Sequence, residues 1–318
     1  MAQVIVVGAG ISGLACAKVV ADAGHEVNVL DRGFRPGGRM AVHQYDNRPI
    51  DIGASYFTVS DPMFEATTDD WERRGLARPW TDTLSVWSPD GTRTKSGPTR
   101  WAAAAGLESL VADLGSTLDI HSSVTVEQVT LVDGRAAVDG QTADAVVLAM
   151  PDPQARRLLT PELGSVADRL DAEFDPVLAL TTIWPMVLWA AFDGIFVNDH
   201  DTLSWVADDG RRRGDDAPVL VAHSTPDFAR PRLDDLQDAT SKMLEALVGV
   251  VGIEPAAEVL RADMHRWTFA RPSATRDAPF LLDDRGVGVC GDGWSTKPSV
   301  EAAFLSGTHL GEALVQRL

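Results

Sequence analysis

The first thirty or so residues contain a glycine turn of the kind that binds phosphate groups. A β-branched run, Gln3–Val7, leads into Gly8, Gly10 and Gly13, and a helical pattern and a second apolar run follow, the latter ending at Asp31. In such a unit the glycines allow a tight turn, a close backbone approach to a pyrophosphate, and packing of helix on strand. The helix N-terminus offers free N–H groups to phosphate oxygens, and an acid about 20 residues downstream binds ribose hydroxyls. The pattern therefore predicts a dinucleotide site.

Two further motifs, at opposite ends of the chain, indicate which dinucleotide is bound. Gly37 and Gly38, followed by Arg39, resemble the glycine doublet that follows the dinucleotide fold in FAD enzymes of the amine-oxidase and related groups. Near the C-terminus an apolar strand pattern runs into Asp292, and a helical pattern begins at Val300. In similar FAD proteins such an aspartate binds the ribityl chain. The following helix directs its positive end at the flavin C2 carbonyl, where reduced flavin carries negative charge. Together the motifs predict FAD as the resident cofactor.

The elements that position these motifs indicate an α/β fold. A helix is expected over residues 101–114, and a three-strand meander over residues 124–132, 135–138 and 143–150. The prediction is a Rossmann-like FAD/NAD(P)-binding domain with an interleaved antiparallel-sheet substrate domain. The FAD-binding domain is assigned residues 1–65, 100–155 and 280–318, and the substrate domain residues 66–99 and 156–279.

The substrate domain is expected to combine an antiparallel sheet with one helix. Strands are predicted over residues 177–183, 203–207, 218–223 and 259–269, and a helix over residues 233–251 with Gly252 beyond its end. Residues 208–216 include three consecutive arginines, and we expect a solvated turn there rather than a phosphate clamp.

Composition excludes several classes of function. Forty-six acidic against 28 basic residues give a formal charge of −18, which repels polyanions and argues against binding of nucleic acid or anionic membranes. Hydrophobic residues make up 45%, and no apolar run is long enough to span a membrane. Cys16 and Cys290 form no disulfide framework and no metal-binding cluster, so we expect no metal. A cytoplasmic location is expected, because the thiols suit a reducing compartment and the first strand leaves no room for a leader.

Motifs spread over nearly the whole chain are similar to those of the renalase-like FAD-dependent oxidoreductases. The quoted segments are residues 1–13, 37–40, 51–57 with 61–62, 192–196 with 203–206, 222–226, 265–267 with 271–272, and 290–292 with 300–307. The resemblance implies an oxidase that binds FAD non-covalently and converts 2- or 6-dihydro isomers of NAD(P)H to NAD(P)+. In that activity hydride passes to flavin N5, and O2 reoxidises the flavin to give hydrogen peroxide.

The resemblance also assigns residues to the cofactor site. Ser12 and Arg39 would contact the FAD phosphates, and Ser55 and Tyr56 would lie at the flavin. Where the family commonly has glutamine before this tyrosine, the chain has the shorter Ser55, and a family arginine after the Gly-Asp motif is absent. The predicted cofactor-binding residues are Gly8, Gly10, Ser12, Gly13, Asp31, Arg32, Gly37, Gly38, Arg39, Met40, Ser55, Tyr56, Val124, Asp292 and Val300.

Hydride transfer to a flavin needs stacking and a dry pocket more than it needs an acid or base. We predict His223, Trp267 and Tyr56 as the catalytic residues. His223 could hydrogen-bond a substrate carboxamide, protonate an intermediate, or be a satisfied core histidine. Trp205 and Trp294 are further candidates for the wall of the pocket, although any of these tryptophans could be core. Strand alternation places His265 and Trp267 on one face and Arg266 on the other.

Two other functions are compatible with these residues. One is a flavin-dependent amine oxidase, for which only Lys95 and Lys297 could hold a water near the flavin. The other is a non-catalytic FAD-binding redox protein. The expected partners are a small-molecule substrate, either a dihydronicotinamide dinucleotide or an amine, together with O2. The sequence leaves the oligomeric state open.

Overall fold

The computed structural model describes all residues, Met1–Leu318. It contains nine α-helices separated by strands and short 3-10 turns. The helices are α1 Ile11–Asp22, α2 Pro62–Arg73, α3 Glu108–Leu114, α4 Asp152–Leu158, α5 Gly164–Ala167, α6 Asp209–Arg213, α7 Pro226–Ala229, α8 Leu236–Val251 and α9 Val300–Arg317. None of these helices is both long enough and apolar enough to cross a membrane.

Eighteen strands form two large sheets, a three-stranded meander and a two-stranded ribbon. The strands are β1 Gln3–Val7, β2 Glu26–Asp31, β3 Val42–Tyr45, β4 Arg48–Asp51, β5 Arg78–Ser88, β6 Gly91–Ala102, β7 Asp119–Ser122, β8 Val129–Val132, β9 Arg135–Val138, β10 Gln141–Thr142, β11 Ala145–Leu148, β12 Phe174–Ile183, β13 Gly194–Val197, β14 Leu203–Asp208, β15 Val219–Ser224, β16 Arg261–Pro272, β17 Leu281–Leu282 and β18 Val287–Val289.

The first large sheet has the strand order β17-β18-β11-β1-β2-β7 and is parallel except for β17. Its central strands are continuous apolar runs because both faces of the sheet are covered. Helices α1 and α9 pack on one face, and strands β8 and β9 with helices α4 and α5 pack on the other. The sheet draws strands from both ends and the middle of the chain. This confirms the predicted Rossmann-like α/β fold, whereas the exact domain boundaries stay a prediction.

Helices α1 and α9 pack closely on one face of this sheet. Gly307 of α9 lies against the backbone of α1, where a Cβ would come within 1.9 Å of the Ser12 carbonyl oxygen. Only glycine permits this approach. The contact joins the C-terminal helix to the start of α1, next to the predicted phosphate-binding turn.

The second large sheet has the order β16-β12-β15-β14-β13-β5-β6. It is antiparallel apart from the parallel pair β13–β5. On its outer face apolar side chains such as Leu220 pack against Met243 and Leu247 of α8. An Asp235 side chain caps the start of α8, and left-handed Gly252 ends it as expected. The opposite face of this sheet, on which Trp205 lies, is called the inner face below.

The structure corrects several local predictions. Residues 101–114 are not one helix: β6 continues to Ala102, where Trp101 bridges to Phe57, and α3 begins only at Glu108 after the left-handed Gly106. The third strand of the meander is β10, while β11 joins the parallel sheet. The segment 208–216 is not a solvated turn but contains the helix α6. Helix α2 and the β5–β6 hairpin have no counterpart in the predictions.

Candidate functional site

The predicted phosphate-binding turn lies between β1 and α1. Gly10 precedes α1, and no side chain caps the helix N-terminus, so the first N–H groups of the helix remain free. The Ser12 hydroxyl is buried and lacks a hydrogen-bond partner. A Cβ on Gly13 would lie 2.0 Å from the Gly8 carbonyl oxygen, which explains why glycine is needed here. A Cβ on Gly10 would meet no atom within 4 Å. The turn therefore offers donors and space for a diphosphate.

Asp31, at the end of β2, fixes this turn from the side. Its carboxylate accepts hydrogen bonds from the N–H groups of Ala9 and Gly33, each at 2.6 Å. Each oxygen retains a lone pair that a ribose hydroxyl could use. The Val124 N–H donates to the Asp31 carbonyl at 2.9 Å, which places this predicted residue beside the ribose position. The neighbouring Arg32 is exposed.

The second glycine turn docks directly on the first. The Gly37 N–H donates to the Ala9 carbonyl at 3.0 Å, and a Cβ on Gly38 would lie 3.3 Å from the Gly10 Cα. Met40 is buried in the hydrophobic core beside α1. The two glycine turns predicted from separate motifs thus form one cradle of backbone.

Arg39 and Asp292, predicted separately as ligands of FAD, form a salt bridge with each other. Arg39 Nη2 donates to Asp292 Oδ1 at 2.6 Å, and Nη1 donates to Oδ2 at 3.0 Å and to the Ala270 carbonyl at 3.1 Å. The Arg39 side chain is still 29% exposed. This bidentate pair connects the two ends of the chain at the cofactor cradle.

Helix α9 follows Asp292 in the chain, and a side chain caps its N-terminus. The Ser299 hydroxyl accepts from the Ala302 N–H, and Val300 is the half-buried first residue. The Glu301 carboxylate accepts hydrogen bonds from the N–H groups of Ser60 and Asp61 at 2.6 and 2.8 Å. Glu301 therefore ties α9 to the loop before α2, a contact that the motifs did not reveal.

The segment 51–56 connects the cofactor cradle to the second sheet. The Ala54 N–H donates to the Arg39 carbonyl at 2.9 Å. The Ser55 hydroxyl is buried and accepts from Trp205 Nε1 at 2.9 Å. The Tyr56 ring lies 5.7 Å from the Trp205 ring and 6.2 Å from the Trp80 ring. Ser55, at the position of the family's glutamine, orients a tryptophan of the inner face.

Trp267 and Trp205 lie on the inner face of the second sheet. Trp267 Nε1 donates to the Ile52 carbonyl at 2.9 Å. The His265 and Trp267 rings are 4.4 Å apart. Arg266 points the other way, toward Asp234, which confirms the predicted alternation. Trp294 is separate from these rings: it is buried among residues of the parallel sheet, with the Arg276 guanidinium 4.3 Å away.

His223 lies directly opposite Trp205 on the adjacent strand. It is buried, and its Nε2 atom has no hydrogen-bond partner. Burial, together with the positive charges of Arg271 and Arg212, lowers the pKa of His223 to about 3. The imidazole is therefore neutral at physiological pH. The neutral ring can form a hydrogen bond with a ligand but cannot act as a general acid. Because its Nε2 atom lacks a partner, His223 is not a core histidine whose hydrogen bonds are all satisfied.

A buried ionic cluster contacts the segment 51–56 through hydrogen bonds and salt bridges. Arg212 donates to the carbonyls of Ser55 and Asp51 at 3.1 and 3.2 Å and pairs with Asp209. Arg213 pairs with Asp51 at 2.9 Å. Burial opposes ionisation of Asp209, but Arg212, Arg213 and Arg48 hold its pKa at about 2. The three arginines that looked like a surface turn thus include two buried ones, because only the fold brings Asp51 to them.

FAD fits the residues described here. The glycine cradle with the unpartnered Ser12 hydroxyl suits a diphosphate, and Asp31 suits a ribose. The aromatic side chains beyond Ser55 suit a flat ring system. The Rossmann-like fold and this site define a FAD-dependent oxidoreductase.

Comparison with known proteins agrees. Residues 6–71 match an NAD(P)-binding Rossmann-like domain, and residues 76–310 match the flavin containing amine oxidoreductase family. The chain belongs to the family of flavin-containing amine oxidoreductases.

Individual relatives refine this placement. Renalase of Mus musculus is 24% identical over 93% of this chain and 94% of its own length. The L-amino-acid oxidase of Daboia russelii is 54% identical but over only 13% of this chain and 8% of its own. Cyclohexylamine oxidase from Brevibacterium oxydans IH-35A has a similar fold, with a TM-score of 0.76 at 16% identity over 99% of both chains. A putrescine oxidase triple mutant gives 0.77 at 14% identity, covering 100% of this chain and 99% of its own. Within the family the chain is a renalase-like FAD-dependent oxidoreductase, as its motifs predicted.

Proposed function

We propose that the protein oxidises 2- or 6-dihydro isomers of NAD(P)H to NAD(P)+, with O2 as the electron acceptor. One dihydronicotinamide, one O2 and one proton give one NAD(P)+ and one hydrogen peroxide. The observation that carries the proposal is the inner face itself. It presents aromatic rings and a neutral His223 to the cofactor cradle, and this combination suits hydride transfer from a flat, uncharged ring.

Bound FAD would supply an acceptor for the hydride at N5 and a donor of electrons to O2. The protein's own residues would bind and orient the substrate and exclude water from the pocket. Tyr56, Trp205 and Trp267 would stack on or flank a nicotinamide and keep water from it. His223 would form a hydrogen bond with the carboxamide through Nε2, the nitrogen that lacks a partner within the protein.

Four charged groups at the cradle hold the site together and would not take part in proton transfer. Arg39 and Asp292 neutralise each other, and Arg212 holds the Ser55 carbonyl while paired with Asp209. No proton needs to leave the substrate when a dihydronicotinamide donates a hydride. The proposed reaction therefore needs no general base in the pocket. A cytoplasmic location stays a prediction, and the two free buried thiols are compatible with it.

Amine oxidation is the second candidate, and the family match favours it. The two lysines considered for it are poorly placed. Lys95 lies exposed on the outermost strand β6, and Lys297 is exposed in the turn before α9. The structure thus offers no lysine within the aromatic cluster of Tyr56 and Trp205.

Anaerobic titration of the oxidised flavin distinguishes the two candidates. The proposal expects rapid bleaching by 2- or 6-dihydro NAD(P), slow or no bleaching by the 4-dihydro form, and hydrogen peroxide when air is admitted. Bleaching by putrescine or cyclohexylamine, but not by any dihydronicotinamide, would establish an amine oxidase instead. Preferential bleaching by the 4-dihydro form would indicate an ordinary NADH-dependent flavin reductase and reject the proposal.

A further inference from the structure

The outermost strand of the second sheet, β6, is unusually basic for this chain. It contains Arg93, Lys95 and Arg100 and no acidic residue, although acids outnumber bases 46 to 28 in the protein as a whole. Most other arginines form salt bridges, but none of these three has a carboxylate within salt-bridge distance. The strand therefore presents positive charge that the protein itself does not neutralise.

Arg100 is the buried member of this group. Its side chain packs inside the hairpin, and the residue is only 8% exposed. Nη1 donates to the carbonyls of Asp82 and Pro98 at 2.7 and 3.1 Å, while Nε has no partner. Carbonyl groups satisfy hydrogen bonds but leave the charge uncompensated, which makes a nearby anion favourable. The guanidinium lies 5.8 Å from the Tyr56 ring, at the edge of the proposed substrate pocket.

The sheet register places Arg93 and Lys95 on the inner face, in line with the pocket. Lys95 lies opposite Leu84, and Arg93 lies opposite Val86. Val86 in turn neighbours Phe196, which lies opposite Trp205. Since paired residues point to the same face, the two exposed cations share the face of Trp205. Three strand spacings separate β14 from β6, or about 14 Å.

We propose that Arg93, Lys95 and Arg100 form an anion-binding subsite for the phosphate groups of a dinucleotide substrate. With the nicotinamide against Tyr56 and Trp205, an extended dinucleotide could reach β6, whereas a small amine could not. A cationic amine would also be repelled by the uncompensated Arg100. This inference rests on the proposed function, because it names how that substrate class is recognised.

The test compares a dinucleotide with a phosphate-free analogue on the holoenzyme. Two dissociation constants are measured, one for 6-dihydro NAD and one for the corresponding dihydronicotinamide riboside. Each comes from the dependence of the anaerobic bleaching rate on substrate concentration. The variants are R93Q/K95Q, which changes two exposed residues, and R100Q, which changes the buried one. The control is R266Q, which removes one positive charge, as R100Q does, but from the outer face of the same sheet, where Arg266 pairs with Asp234.

The subsite predicts that the preference for dinucleotide over riboside falls at least about ten-fold in R93Q/K95Q and in R100Q, and stays unchanged in R266Q. An unchanged preference in R93Q/K95Q overturns the proposal even if R100Q fails to fold. If the preference for dinucleotide over riboside falls equally in R266Q, the proposal is also overturned, because the effect would then depend only on the net charge of the protein.

Calorimetric titration with ADP-ribose separates this proposal from the proposed function, because the measurement needs no turnover. If wild type is bleached by neither compound, the proposed function fails. The subsite then stands if wild type binds ADP-ribose at least about ten-fold more tightly than R93Q/K95Q. It fails if the two bind alike or if neither binds.

Discussion

Replacing His223 by leucine should change how the stability of the protein depends on pH. The pKa of this imidazole falls from 6.5 to about 3 on folding, chiefly through burial. A group whose pKa is lowered in the folded state takes up its proton only on unfolding. The free energy of unfolding therefore falls as the pH drops below 6.5 and continues to fall toward pH 3. Between pH 7 and pH 5 the expected loss is about 2 kcal/mol.

The assay is urea unfolding of the holoenzyme in saturating FAD, followed by tryptophan fluorescence, at pH 7, 6 and 5. Carboxylates titrate equally in wild type and in His223→Leu, so the difference between the two pH dependences isolates the histidine. The variant should lose about 2 kcal/mol less than wild type between pH 7 and pH 5. His121→Gln, which removes an imidazole at the protein surface, is the control for the loss of a histidine outside the core. Identical pH dependences for wild type and His223→Leu would refute the burial of a neutral His223.

Three other substitutions test the cofactor cradle and its support. Asp292→Asn breaks the bidentate bridge at the cradle and should leave less FAD bound after gel filtration; flavin content equal to wild type would contradict a role there. Gly13→Val places side-chain atoms against the Gly8 carbonyl and should abolish FAD retention while ordinary far-UV circular dichroism remains; full flavin content would contradict the close approach. Arg212→Met removes one partner of buried Asp209 and should cost about 3 kcal/mol in thermal unfolding, a loss that would be absent if the cluster contributed nothing.

Much of the cofactor site could be predicted from the sequence because its signals are local. Gly8, Gly10, Gly13 and Asp31 lie within one strand–turn–helix unit, where the spacing itself dictates the geometry. Strands β12, β14, β15 and β16 and the helix α8 could also be predicted, since alternating or helical apolar patterns and a terminal Gly252 mark them. The α/β fold and the presence of FAD followed from these patterns and from the resemblance they carry.

Prediction failed where long-range contacts override local pattern. Residues 101–107 read as helix, yet Trp101 instead completes β6 by pairing with Phe57. The sequence predicts Arg212 and Arg213 as surface residues, because the residues adjacent to them in the chain do not indicate that Asp51 lies beside them in the fold.

The sequence by itself determined that this protein has a dinucleotide turn, a glycine doublet and an aspartate near its C-terminus, and hence a flavin fold assembled from separate segments. Only the tertiary structure decided that Arg39 and Asp292, 253 residues apart, pair with each other. It also decided that His223 is neutral, and that the cations of β6 share a face with Trp205. The physical reason is that backbone turns are specified by adjacent residues. The charge state and partners of a side chain instead depend on burial and on neighbours that the chain brings together only when it folds.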